Sequence, residues 1–450
     1  MGHAVLAAVP SEALSAYLAN PAFRSAEGHE LILEHNAFHR PVRPQDLRML
    51  TFASPLQADR VFELSALMTQ RMLCNINEAD CTFVGAPGPA RQQEADRAAF
   101  YDADTRWRGE ALRPFLEHYA FGWLFKGESV LTAGAAISAT CAALIGSGGL
   151  AGQLQGCRDP QRAVRMLLIQ LSGPLFSERL AFARQLGIID WSGRLGPLRA
   201  VLANAAVARI DASMVLLGRG GLLARPHAYW QFYLGSWLAV ANLAHRLVRQ
   251  HQKPWCAIGA QVYDELWSDA QGRALARVLP DTLGVSGESG QRRGAEALAD
   301  RALSALRGDA EAEVDFVTGF EAMRTLYAAA ERDWALQLEW SDDIERQREL
   351  AIEYGDLIAA APFQVDMETY VEPSSERSTT HVHDTDRLLV IESGEMDFWP
   401  SFGSALHLRA GDRLFVPRHR LHGSVVTSDE CRYHQPIIDA RVVALRAARA

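Results

Sequence analysis

Three histidines stand at spacings that can hold a metal ion. His381 and His383 flank Val382, and side chains two apart on a strand project to the same face. Both imidazoles can therefore offer nitrogen to one point. His422 follows on a later strand, in the spacing Gly411, five residues, Pro417, four residues, His422. Three neutral nitrogen donors with coordination positions left open suit Fe(II), although imidazole also accepts Zn, Cu or Ni. We expect one Fe(II) per chain at His381, His383 and His422, with O2 as co-substrate.

The elements that must position these residues read as short strands. From about Pro362 the pattern becomes alternating runs separated by turn residues: 363–370, 378–382, 387–392, 395–399, 405–408, 413–416, 421–427 and 431–438. Ser393-Gly394 and Ala410-Gly411-Asp412 supply tight turns. Eight such strands predict a jelly-roll barrel, and the histidine, glycine and proline spacing resembles the metal-binding cupins. That resemblance implies a glutamate ligand four residues beyond the second histidine, where this chain has Arg387. Asp386 is one residue away, but a one-residue shift reverses the face of a strand, so it is expected to point outward. Arg387, Trp399 and Tyr433 are candidates for lining the pocket, and the Arg387 fork could clamp a substrate carboxylate. His407, His419 and His434 are expected at the surface or behind the ligands.

Before the barrel the chain reads as helical. Apolar residues recur at three- and four-residue spacing over 58–77, 96–125, 159–186 and 226–250. A chain of 450 residues is long for one core, so two or three domains are expected. A net charge of -9 with dispersed basic residues excludes general nucleic-acid binding. The six cysteines include no CxxC pair, which fits a reducing cytoplasm. Residues 130–154 carry no charge and are long enough to span a bilayer, but Ala, Gly, Ser and Thr insert poorly, so no membrane span is expected.

A closer likeness covers nearly the whole chain. Glu78-Ala79-Asp80, the stretch from Phe100 to Gly122, Arg162 to Gln170, Tyr229-Trp230-Gln231, Thr380 to Asp384, Arg420 to Gly423 and Ser428 to Cys431 resemble the three-domain nitrosourea-forming non-haem iron enzymes of streptozotocin biosynthesis. The resemblance implies an N-terminal helical dimerisation region over 1–115, a haem-oxygenase-like helical domain over 116–350 and a cupin over 351–450. In that family the central domain hydroxylates guanidine nitrogens at a di-iron site, and the cupin rearranges the product to an N-nitroso compound. Glu178 and Glu265 match family glutamates, but Asn204 and Met214 stand where a glutamate and a histidine belong, and the region Arg293 to Arg301 has no histidine. An amide, a thioether and alkyl groups do not assemble a di-iron centre, so Glu178 and Glu265 are read as a vestigial central site.

The expectation is a cytoplasmic, homodimeric, iron- and O2-dependent cupin oxidoreductase. It would take an N-hydroxylated guanidine or amino-acid substrate, made by a separate hydroxylase, and form an N–N bond. Two alternatives stand beside it: a cupin dioxygenase or isomerase on an unrelated small molecule, and a non-catalytic partner of an active di-iron homologue.

Overall fold

A computed structural model describes residues 131–167 and 193–198 with gaps, then 253–284, and 292–449 apart from 382, 384, 401–404, 419 and 421. The expected dimerisation region, Glu178, Asn204 and Met214 lie outside the described residues. The chain forms two compact units, Met1–Gln155 with Val164–Glu331, and Gly156–Ala163 with Arg332–Ala450.

The described part of the first unit is helical: α1 (Ala133–Ser147), α2 (Pro254–Leu283), α3 (Arg292–Leu306) and α4 (Ala310–Asp342), whose last turns belong to the second unit. Pro254 opens α2, where its missing N–H costs no helix bond, and Gly284 closes it with φ 66. From Cys256 to Trp267 every residue of α2 is buried, so this helix is enclosed and not amphipathic. Glycines bring it against α4. A Cβ on Gly259 would lie 1.9 Å from the Phe316 carbonyl oxygen, and one on Gly319 1.8 Å from that of Cys256. Beyond the crossing, Tyr263 meets Phe320 edge-on at 5.2 Å, and Trp267 stacks on Tyr327 at 4.0 Å.

The stretch Ala133–Gly152 is long and apolar enough to cross a membrane. Its helix α1 nevertheless buries Ala133, Ala136, Ile137, Thr140 and Leu144. The Ala133 N–H donates to Glu313 Oε1 at 2.9 Å, a carboxylate at the positive end of the helix. One face of the helix is therefore packed and the other, with Ile145 69% exposed, is not.

The second unit continues with α5 (Ile344–Ala359), then β1 (Thr369–Pro373), β2 (Arg377–His381), β3 (Arg387–Ser393), β4 (Glu395–Pro400), β5 (Leu406–Arg409), β6 (Arg413–Val416), β7 (His422–Val426), β8 (Glu430–His434) and α6 (Ala440–Arg449). All strand pairs are antiparallel, in two four-stranded sheets ordered β1-β8-β3-β6 and β2-β7-β4-β5. This is the jelly roll expected from the sequence. Leu389, Ile391, Leu414, Val416, Cys431 and Tyr433 of one sheet meet Met396, Phe398, Leu408 and Val426 of the other in a single core. Each buried aliphatic side chain there contributes roughly 1.5–3 kcal/mol. On the outer face of the first sheet, Leu388 and Phe415 pack under Tyr354 and Leu357 from α5, Ile438 from the connection after β8 and Val442 from α6, with Tyr354 stacked on Phe415 at 5.1 Å.

Two boundaries differ from expectation. The helical part runs to Ala359, because Ala351, Tyr354 and Leu357 form a helical stripe that the barrel buries. The first strand begins at Thr369; Phe363 and Val365 alternate like a strand but pack into the outer cluster, with Arg441 over the Phe363 ring at 4.5 Å.

Candidate metal centre in the barrel mouth

Both crossovers between the sheets that matter for the site lie at one end of the barrel. β2 ends at His381 and β3 begins at Arg387; β6 ends at Val416 and β7 begins at His422. Asp386 ties the two together, its Oδ1 accepting the Arg418 N–H at 2.7 Å while its carbonyl accepts the Ile438 N–H at 2.8 Å. That carboxylate is committed to holding the crossover, on the outside as expected.

His383 and His422 meet in this mouth, with ring centroids 4.9 Å apart and planes tilted by 41°. Position 381 pairs with position 422 in the ladder, beyond an irregularity in register after Ser378; the His381 side chain lies outside the described residues. His422 is 2% exposed. Its ring stacks on Phe398 at 5.7 Å, and its Nδ1 lies 2.8 Å from the Arg420 carbonyl oxygen. A carbonyl can only accept, so Nδ1 carries a proton, and it is Nε2 that the neutral form of the ring would present as a lone pair. That is the tautomer a metal takes, oriented as metal-bound imidazoles commonly are. The donor set therefore fits a divalent ion of the Fe, Zn, Cu or Ni class.

The other predicted pocket residues separate. Arg387 has the same strand parity as Leu389 and Ile391 and pairs with Val416, so it faces the interior at this same mouth, 6% exposed. Its fork is already engaged: Nη1 donates to Glu368 Oε2 and, at 3.4 Å, to Gln435 Oε1, while Nε donates to Thr385 Oγ1 at 3.3 Å. A bidentate clamp on a substrate carboxylate is thereby precluded as long as Glu368 holds Nη1. Tyr433 also faces the interior, where its hydroxyl donates to Glu372 Oε1 at 2.9 Å. Burial, and then Glu372, push its phenol well above the ordinary tyrosine range.

Trp399 is on the opposite face of its sheet from Phe398 and His422. It pairs with Gly423, over which its indole lies so closely that a Cβ there would be 2.5 Å from the ring. It backs the metal strand from outside and does not line the pocket. His407 is exposed between Asp397 (3.0 Å) and Glu395 (3.4 Å), and His434 bridges Thr369 and Glu392 on the outer face; His419 lies outside the described residues. Sequence reasoning missed Glu368, Tyr370 and Glu372. Their two-residue spacing was the available signal, hidden because the strand was placed too early.

In the helical unit, Glu265 is 2% exposed and its Oε1 accepts from Gln261 at 2.8 Å. Among the described residues, the inward face of α3 consists of Ala295, Leu298, Ala299, Ala302 and Leu306. None of these can ligate a metal.

No family model matches the sequence. A curated relative does: nitrosourea synthase of Streptomyces achromogenes subsp. streptozoticus is 28% identical over 452 residues, covering 94% of this chain and 94% of the relative. The likeness to nitrosourea synthase runs over nearly the whole of both chains. Two solved structures also align, each at 17% identity: an RmlC-like cupin from Shewanella frigidimarina, over 18% of this chain and 88% of its own with a TM-score of 0.15, and a protein from Neisseria meningitidis, over 19% and 95% with a TM-score of 0.14. The cupin architecture rests on the strand order and register given above. The relative's likeness thus falls on a chain whose antiparallel barrel brings two histidine rings together in its mouth.

Proposed function

We propose that this chain is a mononuclear non-haem iron oxygenase. Its cupin would oxidatively rearrange an N-hydroxylated guanidine or amino-acid substrate, forming an N–N bond of the N-nitroso type. The observation that carries the reading is the convergence of His383 and His422, with His381 opposite His422 in the ladder, in a chain alignable end to end with a nitrosourea synthase.

His381, His383 and His422 would hold Fe(II), which when bound supplies the redox chemistry between O2 and the substrate. The protein's own contributions are positional. The Arg420 carbonyl fixes the tautomer of His422, Phe398 buttresses its ring, and the apolar core beneath, from Leu389 to Val426, keeps bulk water from the floor of the site. Arg387 and Tyr433 present polar groups to the interior, while Trp399 acts from behind by supporting Gly423.

The helical unit, in this proposal, is a haem-oxygenase-like bundle that holds no di-iron cluster. The alkyl face of α3 supports this, as does the hydrogen bond between Glu265 and Gln261. The substrate would then arrive already hydroxylated from a separate enzyme.

Metal content after anaerobic purification and Fe(II) reconstitution tests both parts. Wild-type chain should hold about one iron, lost in a His381→Ala/His383→Ala variant. Two or three irons, most of them surviving the variant, would overturn the single-site reading.

A further inference from the structure

The ion pair in the barrel mouth is not fully used. Arg387 has five N–H donors. One goes from Nε to Thr385 and two from Nη1 to Glu368 and Gln435; the guanidinium also donates to the Tyr370 hydroxyl, which among the described residues leaves one N–H of the five to spare. Glu368 mirrors it. Its Oε2 accepts from Arg387 and, at 3.2 Å, from the Tyr370 hydroxyl, and among the described residues no donor reaches Oε1. Glu368 is held in place from the backbone: its N–H donates to Asp366 Oδ1 at 3.1 Å, its carbonyl accepts the Gln435 N–H at 3.1 Å, and its φ is 37°. A non-glycine residue at positive φ persists only where its surroundings fix it. Arg387, 6% exposed, is equally constrained. The mouth therefore carries a rigid pair with one acceptor oxygen and one donor N–H to spare.

The charge arithmetic selects what such a pair receives. A lone anion drawn to Arg387 would meet the Glu368 carboxylate, and a lone cation drawn to Glu368 would meet the Arg387 guanidinium. A ligand with both charges on adjacent atoms satisfies both and leaves the neutral pair neutral. We propose that Glu368 and Arg387 are the receptor for the zwitterionic head of an α-amino acid, with the ammonium on Glu368 Oε1 and one carboxylate oxygen on the spare N–H of Arg387. The rest of the substrate would extend toward His383 and His422, which share this mouth. This assignment rests on the function proposed above and specifies which end of the substrate the protein reads. It also replaces the bidentate carboxylate clamp expected from sequence with a single-oxygen contact.

The test is calorimetric binding to the full-length Fe(II) chain without oxygen, so that nothing turns over. Three probes share one N-hydroxyguanidine: Nω-hydroxy-L-arginine, its decarboxylated analogue Nω-hydroxyagmatine, and the analogue lacking the α-amino group. Each truncation should weaken binding roughly 10- to 100-fold, the range for one charge-assisted hydrogen bond. In Glu368→Gln the penalty for losing the amino group should vanish, and in Arg387→Gln that for losing the carboxylate. Truncated probes that bind wild type as tightly as the parent overturn this assignment and leave the N-hydroxyguanidine reading intact. If no probe binds while iron remains bound, both fall. The wild-type comparison decides even if a variant fails to fold.

Discussion

A metal centre of this kind is only as well placed as the residues behind its ligands, and the closest backing here is a glycine. Gly423 follows His422 and lies under the Trp399 ring, with no room for a Cβ. Gly423→Ala must displace the indole or the strand, a misfit that typically costs about 1–3 kcal/mol. Because His422 is the next residue, the same movement turns its ring away from Phe398 and the Arg420 carbonyl. The expected outcome is a lower Tm together with roughly tenfold weaker Fe(II) binding, since a supporting shell lost by a fraction of an ångström degrades a metal site. Thermal denaturation and metal competition would check it; a lower Tm with unchanged iron affinity would show that Trp399 supports the fold alone. The meeting of His383 with His422 was legible in sequence because strand parity and the spacing from Gly411 to His422 are local rules. The backing was not, since the pairing of Trp399 with Gly423 is a long-range register that no local pattern records.

At the scale of elements, period told helix from strand correctly among the described residues, though the stretches 58–77, 96–125 and 226–250 and most of 159–186 lie outside them, and boundaries failed where packing overrode pattern. The residues from Phe363 to Val365 alternate as a strand would, yet they serve the cluster under α5 and α6; moving β1 onward exposes the row Glu368, Tyr370 and Glu372. A similar long-range effect governs α2 and α4. Glu331 on α4 accepts the indole N–H of Trp267 from α2 at 2.8 Å, and burial raises its carboxyl above the ordinary value of 4.5, against the lowering effect of that hydrogen bond. Below the ordinary value the carboxyl is protonated whether the chain is folded or not, and burial costs nothing. As pH rises through the ordinary value toward the raised one, the unfolded chain releases its proton first, so stability falls across that window and stays lower above it. Glu331→Gln keeps an acceptor for Trp267 and removes the charge. It should raise Tm at ~pH 7.5 and make no difference near ~pH 4. Equal Tm values at both would mean that the carboxylate is solvated enough to ionise freely.

For the whole molecule, the decisive issue is division of labour with another enzyme. The chain is similar to a nitrosourea synthase over 94% of its length, the inward face of α3 is alkyl and Glu265 is bonded to an amide; the function proposed above takes these together as a chain that performs the barrel's oxidation alone. The sequence shows no histidine from Arg293 to Arg301, and only the helix phase shows that Ala295, Leu298, Ala299 and Ala302 are the residues of this stretch that face inward. If the helical unit makes no N–O bond, oxygen consumption must depend on a substrate that brings one. The Fe(II) chain given L-arginine should consume O2 at the buffer rate, and given Nω-hydroxy-L-arginine it should consume O2 faster, with the increase abolished by His381→Ala/His383→Ala. Oxygen uptake with L-arginine that survives the histidine variant would locate a working oxidase outside the barrel, and a second metal site would have to be sought on the helices. Uptake with neither compound, in a chain that holds its iron, would instead move the substrate away from guanidines altogether, because the site would then be competent and the ligand wrong.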